Sequence, residues 1–92
     1  MEWRLFANLA EAAGTKRAAV DAEAGDTLGE AFEQLLDEHP ELEAIVLDES
    51  GALHEHIKLM QNDVDPFEDG TGFDTKLGAD DQLALFPPVS GG

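Results

Sequence analysis

The sequence contains no cysteine and few basic residues. Without a thiol, the chain cannot form disulfides, thiolate metal sites or a cysteine nucleophile. No apolar run approaches the roughly 20 residues that span a bilayer. Residues 1–5 show no basic region followed by an apolar core, so we expect no secretory signal and a cytoplasmic location. A chain of 92 residues has room for one modest core and little room for a deep active-site cavity.

The shortage of basic residues gives the chain a strongly negative charge. Five Lys and Arg residues face 21 Asp and Glu residues, and the formal net charge is −16. Charge of the same sign strongly disfavours direct binding to nucleic acid or to an anionic membrane. Two interpretations remain: a surface that selects a basic partner, or adaptation to molar salt. The acidic residues are spread from Glu2 to Asp81 rather than gathered in one tail, which favours salt adaptation.

The clearest secondary-structure pattern predicts a helix over residues 27–39. Thr27 can cap its N-terminus, and Glu30 follows at the spacing of a capping box. Pro40 ends the helix. The apolar residues recur at helical spacing on one face: Leu28, Ala31, Phe32, Leu35 and Leu36.

Alternating apolar residues predict four strands, over residues 2–7, 16–23, 53–61 and 82–86. In the first strand the predicted inward side chains are Trp3, Leu5 and Ala7; in the third they are Leu53, Ile57 and Leu59. Shorter segments complete the prediction. We expect a helical turn over 9–13 that ends at Gly14, and turns at 50–51 and 62–63. The stretch over 42–47 fits helix or strand, and residues 65–81 are predicted to form a long loop with one brief strand near Phe73.

The order strand, strand, helix, strand, strand predicts an α+β roll of the β-grasp type, with a mixed sheet and one main helix packed across it. We expect the β-grasp domain to span residues 1–86 and a flexible C-terminal tail to span residues 87–92. We also expect a monomer.

The tail carries the strongest functional pattern. Pro87 and Pro88 restrict φ and favour an extended, stiff segment. Six extended residues reach roughly 20 Å, far enough to place a carboxylate in another protein's active site. Gly91 and Gly92 have no β-carbon, so the carboxyl group is sterically open. A carboxylate is a poor electrophile at neutral pH, so chemistry at this carbon requires activation, most plausibly by adenylation with ATP.

Three segments resemble the ubiquitin-like small archaeal modifier proteins of the molybdopterin-synthase small subunit and thiamine sulfur carrier family. They are WRLFANLAEAAG (residues 3–14), DTLGEAFEQLL (residues 26–36) and, most specifically, QLALFPPVSGG (residues 82–92). The acidity indicates a haloarchaeal member. The segment 63–81 departs from the resemblance because it is longer than the turn expected before the last strand.

The resemblance implies a protein modifier and sulfur carrier that is not itself an enzyme. A ubiquitin-activating-enzyme-like partner would use ATP and Mg to adenylate the carboxylate of Gly92. A persulfide would then convert it to a thiocarboxylate for sulfur transfer to molybdopterin or tRNA, or the activated carboxyl would be joined to lysines of target proteins. The large subunit of molybdopterin synthase is a further partner that it implies. Partner recognition would fall on the tail: Gly91, Ser90, Val89, Pro88 and Pro87.

Other residues give weaker signals. Phe86 would form an apolar contact where the tail leaves the sheet, or belong to the core. Lys58, Lys16 and Lys76 are candidate acceptors for another copy of the modifier. The spacing of His54 and His56 places both on one face of a predicted strand, and His39 is a third candidate zinc ligand. A zinc site needs further defined ligands. We therefore predict no metal site, and we also predict no bound cofactor.

A rival interpretation is a non-covalent β-grasp module that docks on an enzyme as a regulator and never uses its terminus. The sequence alone does not decide whether sulfur transfer or protein conjugation dominates, and it names no targets.

The net charge generates a prediction about salt. We expect the free energy of unfolding to rise from dilute buffer toward molar salt, because at about 1 M salt the screening length falls to roughly 3 Å and repulsion among the acidic side chains fades. Circular dichroism and amide spectra across a salt series measure this. Equal stability at both extremes would contradict salt adaptation.

Overall fold

The computed structural model describes residues 1–87, and within them four strands and four α-helices occur. The strands are β1 (Glu2–Leu5), β2 (Arg17–Ala19), β3 (Lys58–Gln61) and β4 (Leu83–Phe86). The α-helices are α1 (Asn8–Ala13), α2 (Leu28–Glu38), α3 (Glu43–Val46) and α4 (Pro66–Asp69). Two 3₁₀ turns lie at Pro40–Leu42 and Gly72–Asp74.

The strands form one mixed sheet in the order β2-β1-β4-β3. The central strands β1 and β4 are parallel, with Trp3 opposite Leu83 and Leu5 opposite Leu85. The two outer pairings are antiparallel. The first and last strands are therefore neighbours, and the predicted α+β roll of the β-grasp type is confirmed.

Helix α2 begins where the capping pattern predicts. The backbone N–H of Glu30 donates to the Thr27 hydroxyl oxygen at 3.2 Å, which satisfies one of the free N–H groups of the first turn. The Glu30 carboxylate lies 3.3 Å from the same hydroxyl. The helix ends before Pro40, as predicted.

The core lies between α2 and one face of the sheet. The five apolar residues predicted for the helix face are all buried. The residues that meet them from the strands, Leu5, Leu59 and Leu85, are at most 2% exposed. Trp3 is fully buried, and its indole N–H donates to the carbonyl oxygen of Ala31 at 3.1 Å. This bond fixes α2 over the central strand while satisfying a polar group inside the core.

Several predicted strands are too long. The first ends at Leu5, and Ala7 is exposed with a φ of 52° where α1 begins, so its assignment to the inward face is wrong. The second covers only Arg17–Ala19. The third covers only Lys58–Gln61, and Leu53 instead forms an isolated bridge with Leu47.

The segment 65–81 contains helical turns, and the brief strand predicted near Phe73 is wrong. Phe73 belongs to a 3₁₀ turn and stacks on Phe32 of α2, with ring centroids 5.2 Å apart. Leu77 is buried beyond it, and its N–H donates to the carbonyl of Asp26 at 2.8 Å. The segment is therefore packed against α2. The stretch over 42–47, which fitted helix or strand, is helical up to Val46.

Asp81 ties the turn before β4 to the turn after β3. Its carboxylate accepts hydrogen bonds from Gln61 Nε2 at 2.6 Å, Asn62 Nδ2 at 2.7 Å and the N–H of Gly78 at 2.6 Å. Burial raises the pKa of Asp81, but the hydrogen bonds from Gly78, Asn62 and Gln61 outweigh it and hold the pKa below its ordinary value.

The packing of Phe32 generates a stability prediction. Phe32→Ala removes a ring that touches both Trp3 and Phe73, and we expect it to lower the free energy of unfolding by about 3–5 kcal/mol, enough to unfold or nearly unfold so small a domain. Chemical denaturation measures the change. Phe67→Ala is the matched control, because that ring is 44% exposed. A near-neutral Phe32→Ala would mean that this helix face is not the core.

Asp81 generates a prediction about pH. Asp81→Asn replaces an acceptor of three bonds by a group with one acceptor oxygen, and we expect a loss of about 1–2 kcal/mol near neutral pH. Because the folded pKa is lowered, this stabilisation is present above the unfolded pKa and is lost as the pH falls through the folded pKa. Denaturation across a pH series should therefore show the two proteins converging in acid. A difference that is independent of pH would contradict this account.

Candidate functional site

The candidate site begins where β4 ends. Leu83 and Leu85 point into the core, so the alternation of the strand turns Phe86 to the opposite face. Phe86 is half-buried there and stacks on Phe6, with ring centroids 4.4 Å apart and an interplanar angle of 11°. Phe86 therefore lies outside the core, and its role as a contact for a partner stays a prediction.

Pro87 is the last described residue and follows directly after this aromatic pair. The other predicted tail residues lie outside the described residues: Pro88, Val89, Ser90, Gly91 and Gly92. The extended, flexible tail and the role of Gly92 therefore stay predictions.

The parallel register brings the two rings together. Leu5 is paired with Leu85, so the residues that follow them, Phe6 and Phe86, leave the sheet side by side. The pattern indicated β1 and β4 separately but not their register, and the stacking was therefore missed. A usable signal existed, because an aromatic residue follows the last inward leucine in each strand.

Basic residues gather on the same side of the sheet. We define the outer sheet face by the outward residues Arg4, Phe6, Arg17, Lys58 and Phe86. Strand pairing sets Arg4 opposite Arg17 and Lys58 opposite Phe86. The Arg4 guanidinium carbon lies 5.8 Å from the centre of the Phe6 ring. The face carries three of the chain's five basic residues, and two of these pair with carboxylates: Arg17 with Glu2 and Lys58 with Asp65.

A shallow cavity of about 490 Å³ lies at one margin of this face, and its lining includes Arg4, Phe6, Lys16 and Arg17. Arg17 also lies 3.7 Å from the Glu2 carboxylate, in an exposed ion pair that contributes little stability. Aromatic and cationic groups beside the start of the tail form a surface suited to an apolar contact bordered by acidic groups on a partner.

The three candidate acceptor lysines lie in different settings. The Lys58 amine lies 2.8 Å from the Asp65 carboxylate, and this hydrogen bond raises the pKa of Lys58 and lowers that of Asp65. The ion pair therefore favours the protonated form of the amine and engages the nitrogen that would attack an acyl group. Lys16 and Lys76 are exposed. The structure does not bring the three lysines together in one element or strand pairing.

The histidines do not form the predicted strand face. Residues 54–56 form a turn, in which the N–H of His56 donates to His54 Nδ1 at 3.1 Å. The two rings remain near each other, with centroids 5.2 Å apart, whereas His39 pairs with Glu41 at the end of α2. Across residues 1–87, no group of three or more His, Cys, Asp or Glu side chains is placed to hold a metal ion.

Among the helices of residues 1–87, none combines the length and apolar character that crossing a membrane requires.

Comparison with known proteins gives concordant matches. The model of the ThiS family matches residues 3–92. Small archaeal modifier protein 1 of Haloferax volcanii is 42% identical over 92 residues, covering 100% of both chains. The crystal structure of that protein superimposes with a TM-score of 0.87, covering 100% of this chain and 98% of the other.

A solution structure of small archaeal modifier protein 1 from Methanosarcina acetivorans is 29% identical, with a TM-score of 0.82 and coverage of 99% and 94%. Family model, sequence relative and structures thus agree over the full length of the chain. The chain belongs to the ThiS family, as a ubiquitin-like protein modifier and sulfur carrier.

Proposed function

We propose that the chain acts through the carboxyl group of Gly92, which a ubiquitin-activating-enzyme-like partner adenylates with ATP and Mg. The observation that carries the proposal is the match to small archaeal modifier protein 1 over the full chain, which ends in Gly-Gly after a strand, two prolines, Val89 and Ser90. The chain itself would be a carrier and not an enzyme.

Adenylation answers a chemical need of the carboxylate. An anion repels nucleophiles, whereas an acyl-adenylate presents a carbonyl carbon with a good leaving group. A persulfide of a partner would displace AMP to give an acyl persulfide, and a second thiol would then attack its S–S bond, releasing the thiocarboxylate and leaving a disulfide. The thiocarboxylate would be the donor to molybdopterin or tRNA. A lysine amine of a target protein would lead instead to an isopeptide bond. The sulfur route would draw on the large subunit of molybdopterin synthase as a partner.

The outer sheet face supports docking of the activating enzyme beside the tail. Phe86 and Phe6 offer a stacked, half-buried aromatic pair next to Pro87, and Arg4 lies over the second ring. A partner that covers this pair would bury apolar area at the place where the tail starts, and it would direct the tail into its own active site.

Gly91 and Gly92 suit a narrow active-site entrance, because neither carries a side chain that would meet its walls. Lys58 is a poor acceptor in this scheme as long as its amine is engaged by the Asp65 carboxylate, 2.8 Å away. Lys16 and Lys76 are the better candidates for attachment of a second copy.

The tail generates the deciding prediction. Deletion of Gly91 and Gly92 should leave the amide spectra and the free energy of unfolding unchanged, since both glycines follow β4 in the sequence and the core of the described residues ends at Leu85. The same deletion should abolish acyl-adenylate, thiocarboxylate and conjugates when the protein is incubated with its activating enzyme and ATP. Mass spectrometry measures all three products.

Two further variants separate the carboxyl position from chain length. Gly92→Leu keeps the length but adds a bulky side chain, and one residue added after Gly92 keeps both glycines but displaces the carboxyl group. Both should lose activity. A folded deletion variant with full activity would reject the carrier and favour the non-covalent docking module.

A further inference from the structure

A second surface lies on the helix side of the molecule. A groove of about 650 Å³ runs between α2, the turn after α3 and the 3₁₀ turn of Phe73. This volume is within the range of pockets that hold ligands or side-chain anchors of a partner. Its apolar floor consists of Phe32, Leu36, Leu47, Leu53 and Phe73. Leu47, Leu53 and Phe73 are only partly buried, so the floor offers apolar area that a partner can still cover.

The rim of the groove is acidic. Glu33 and Asp37 on α2 and Glu43 on α3 border the apolar floor, and all three are exposed. Among the described residues that line the groove, none is basic. The outer sheet face, by contrast, collects Arg4, Arg17 and Lys58. The acidic rim is therefore part of an uneven charge distribution and not a sample of a uniform surface.

Phe73 packs closely against the start of α2 at Gly29. Gly29 lies against Phe73, and a β-carbon at Gly29 would approach the Phe73 β-carbon to 3.2 Å. Glycine thus lets the aromatic ring settle beside the helix. Phe67 extends the apolar surface outward, because its exposed ring packs edge-on against Phe73 with centroids 5.0 Å apart.

We propose that this groove binds a basic segment of a partner protein, in which one or two large apolar side chains are flanked by Lys or Arg. The apolar side chains would cover Leu53 and Phe73, where burial removes apolar area from water. The flanking cations would face Glu33, Asp37 and Glu43. The complementarity selects a cationic segment and disfavours an acidic one.

A second copy of this chain is the less suitable occupant. Its outer sheet face is aromatic and basic, and so has complementary character. However, a contact between that face and the groove joins two different surfaces, which generates open chains unless the rotation closes. Each copy also brings a net charge of −16, and the overall repulsion opposes association.

The proposal is independent of Gly92. The described lining of the groove includes no residue of β4 or the start of the tail. A bound partner would therefore leave the aromatic pair of the outer sheet face uncovered, and groove variants should be adenylated as the parent protein is.

The test uses the full chain and a short synthetic peptide with leucines on one helical face and lysines on the other. An isomer with the same composition but scattered leucines reports binding by charge alone. Amide spectra locate the site. Calorimetry gives the affinity at about 0.15 M salt, here called physiological salt, and at about 1 M salt. We expect the first peptide to perturb the amides of α2, α3 and residues 47–53, and to bind more tightly than its isomer.

Two triple variants carry the decision. The rim variant neutralises the rim and combines Glu33→Gln, Asp37→Asn and Glu43→Gln. The control variant removes the same charge from exposed positions outside the groove and combines Asp21→Asn, Glu23→Gln and Glu38→Gln. At physiological salt the rim variant should bind about tenfold more weakly, the effect of three modest ion pairs together, and the control should change little. Leu53→Asn should weaken binding at both salt concentrations.

Three results would overturn the proposal. They are equal weakening in the two triple variants, perturbations centred on the outer sheet face, and absence of binding at physiological salt. The alternative occupant is a second copy of this chain, and sedimentation of the protein alone measures self-association. Self-association that the rim variant abolishes would assign the groove to a second copy. Loss of adenylation in the rim variant would contradict the statement that the groove acts independently of Gly92. Peptide binding by a parent protein that is not adenylated would reject the proposed function but leave the groove proposal standing.

Discussion

The parallel pairing of β1 with β4 is the contact on which the rest of the structure depends. It joins the two ends of the described chain in the centre of the sheet, at the entropic cost of closing a long loop. Burial of Trp3 and Leu5 beside Leu83 and Leu85 offsets that cost, and α2 completes the core above them. The same register sets Phe6 beside Phe86. The pairing of β1 with β4 therefore determines both the packing of the core and the aromatic pair before Pro87.

The two sides of the sheet have different tasks because of this arrangement. The inner side is closed by α2 and by the turn that carries Phe73. The outer side stays open, with aromatic and basic groups at the start of the tail. A small domain can thereby keep its core on one side of the sheet and still present two different surfaces, one with aromatic and basic side chains beside Pro87 and one with an acidic rim beside α2.

The parts of the fold that were predicted correctly have local causes. Thr27, the apolar face of α2 and Pro40 define the helix within a single stretch of sequence, and residues 62–63 form the expected turn, with positive φ at both Asn62 and Asp63. The errors have two different causes. Phe73 lies in a 3₁₀ turn and stacks on Phe32, a contact between residues far apart in the sequence. The error at His54 is local, because the N–H of Ile57 donates to the His54 carbonyl and closes a turn inside the predicted strand. At the candidate site, Phe86 was identified but its partner Phe6 was not, since only the register of β1 and β4 reveals it.

The direction of β1 and β4 also determines how the domain responds to mechanical force. A pull applied between Glu2 and Phe86 acts on opposite ends of two parallel, adjacent strands. It must slide one strand along the other, so the hydrogen bonds between them share the load simultaneously instead of opening one at a time. Traction applied through Phe86 is therefore met first by the pairing of Leu85 with Leu5, at the end of the sheet where the load enters β4.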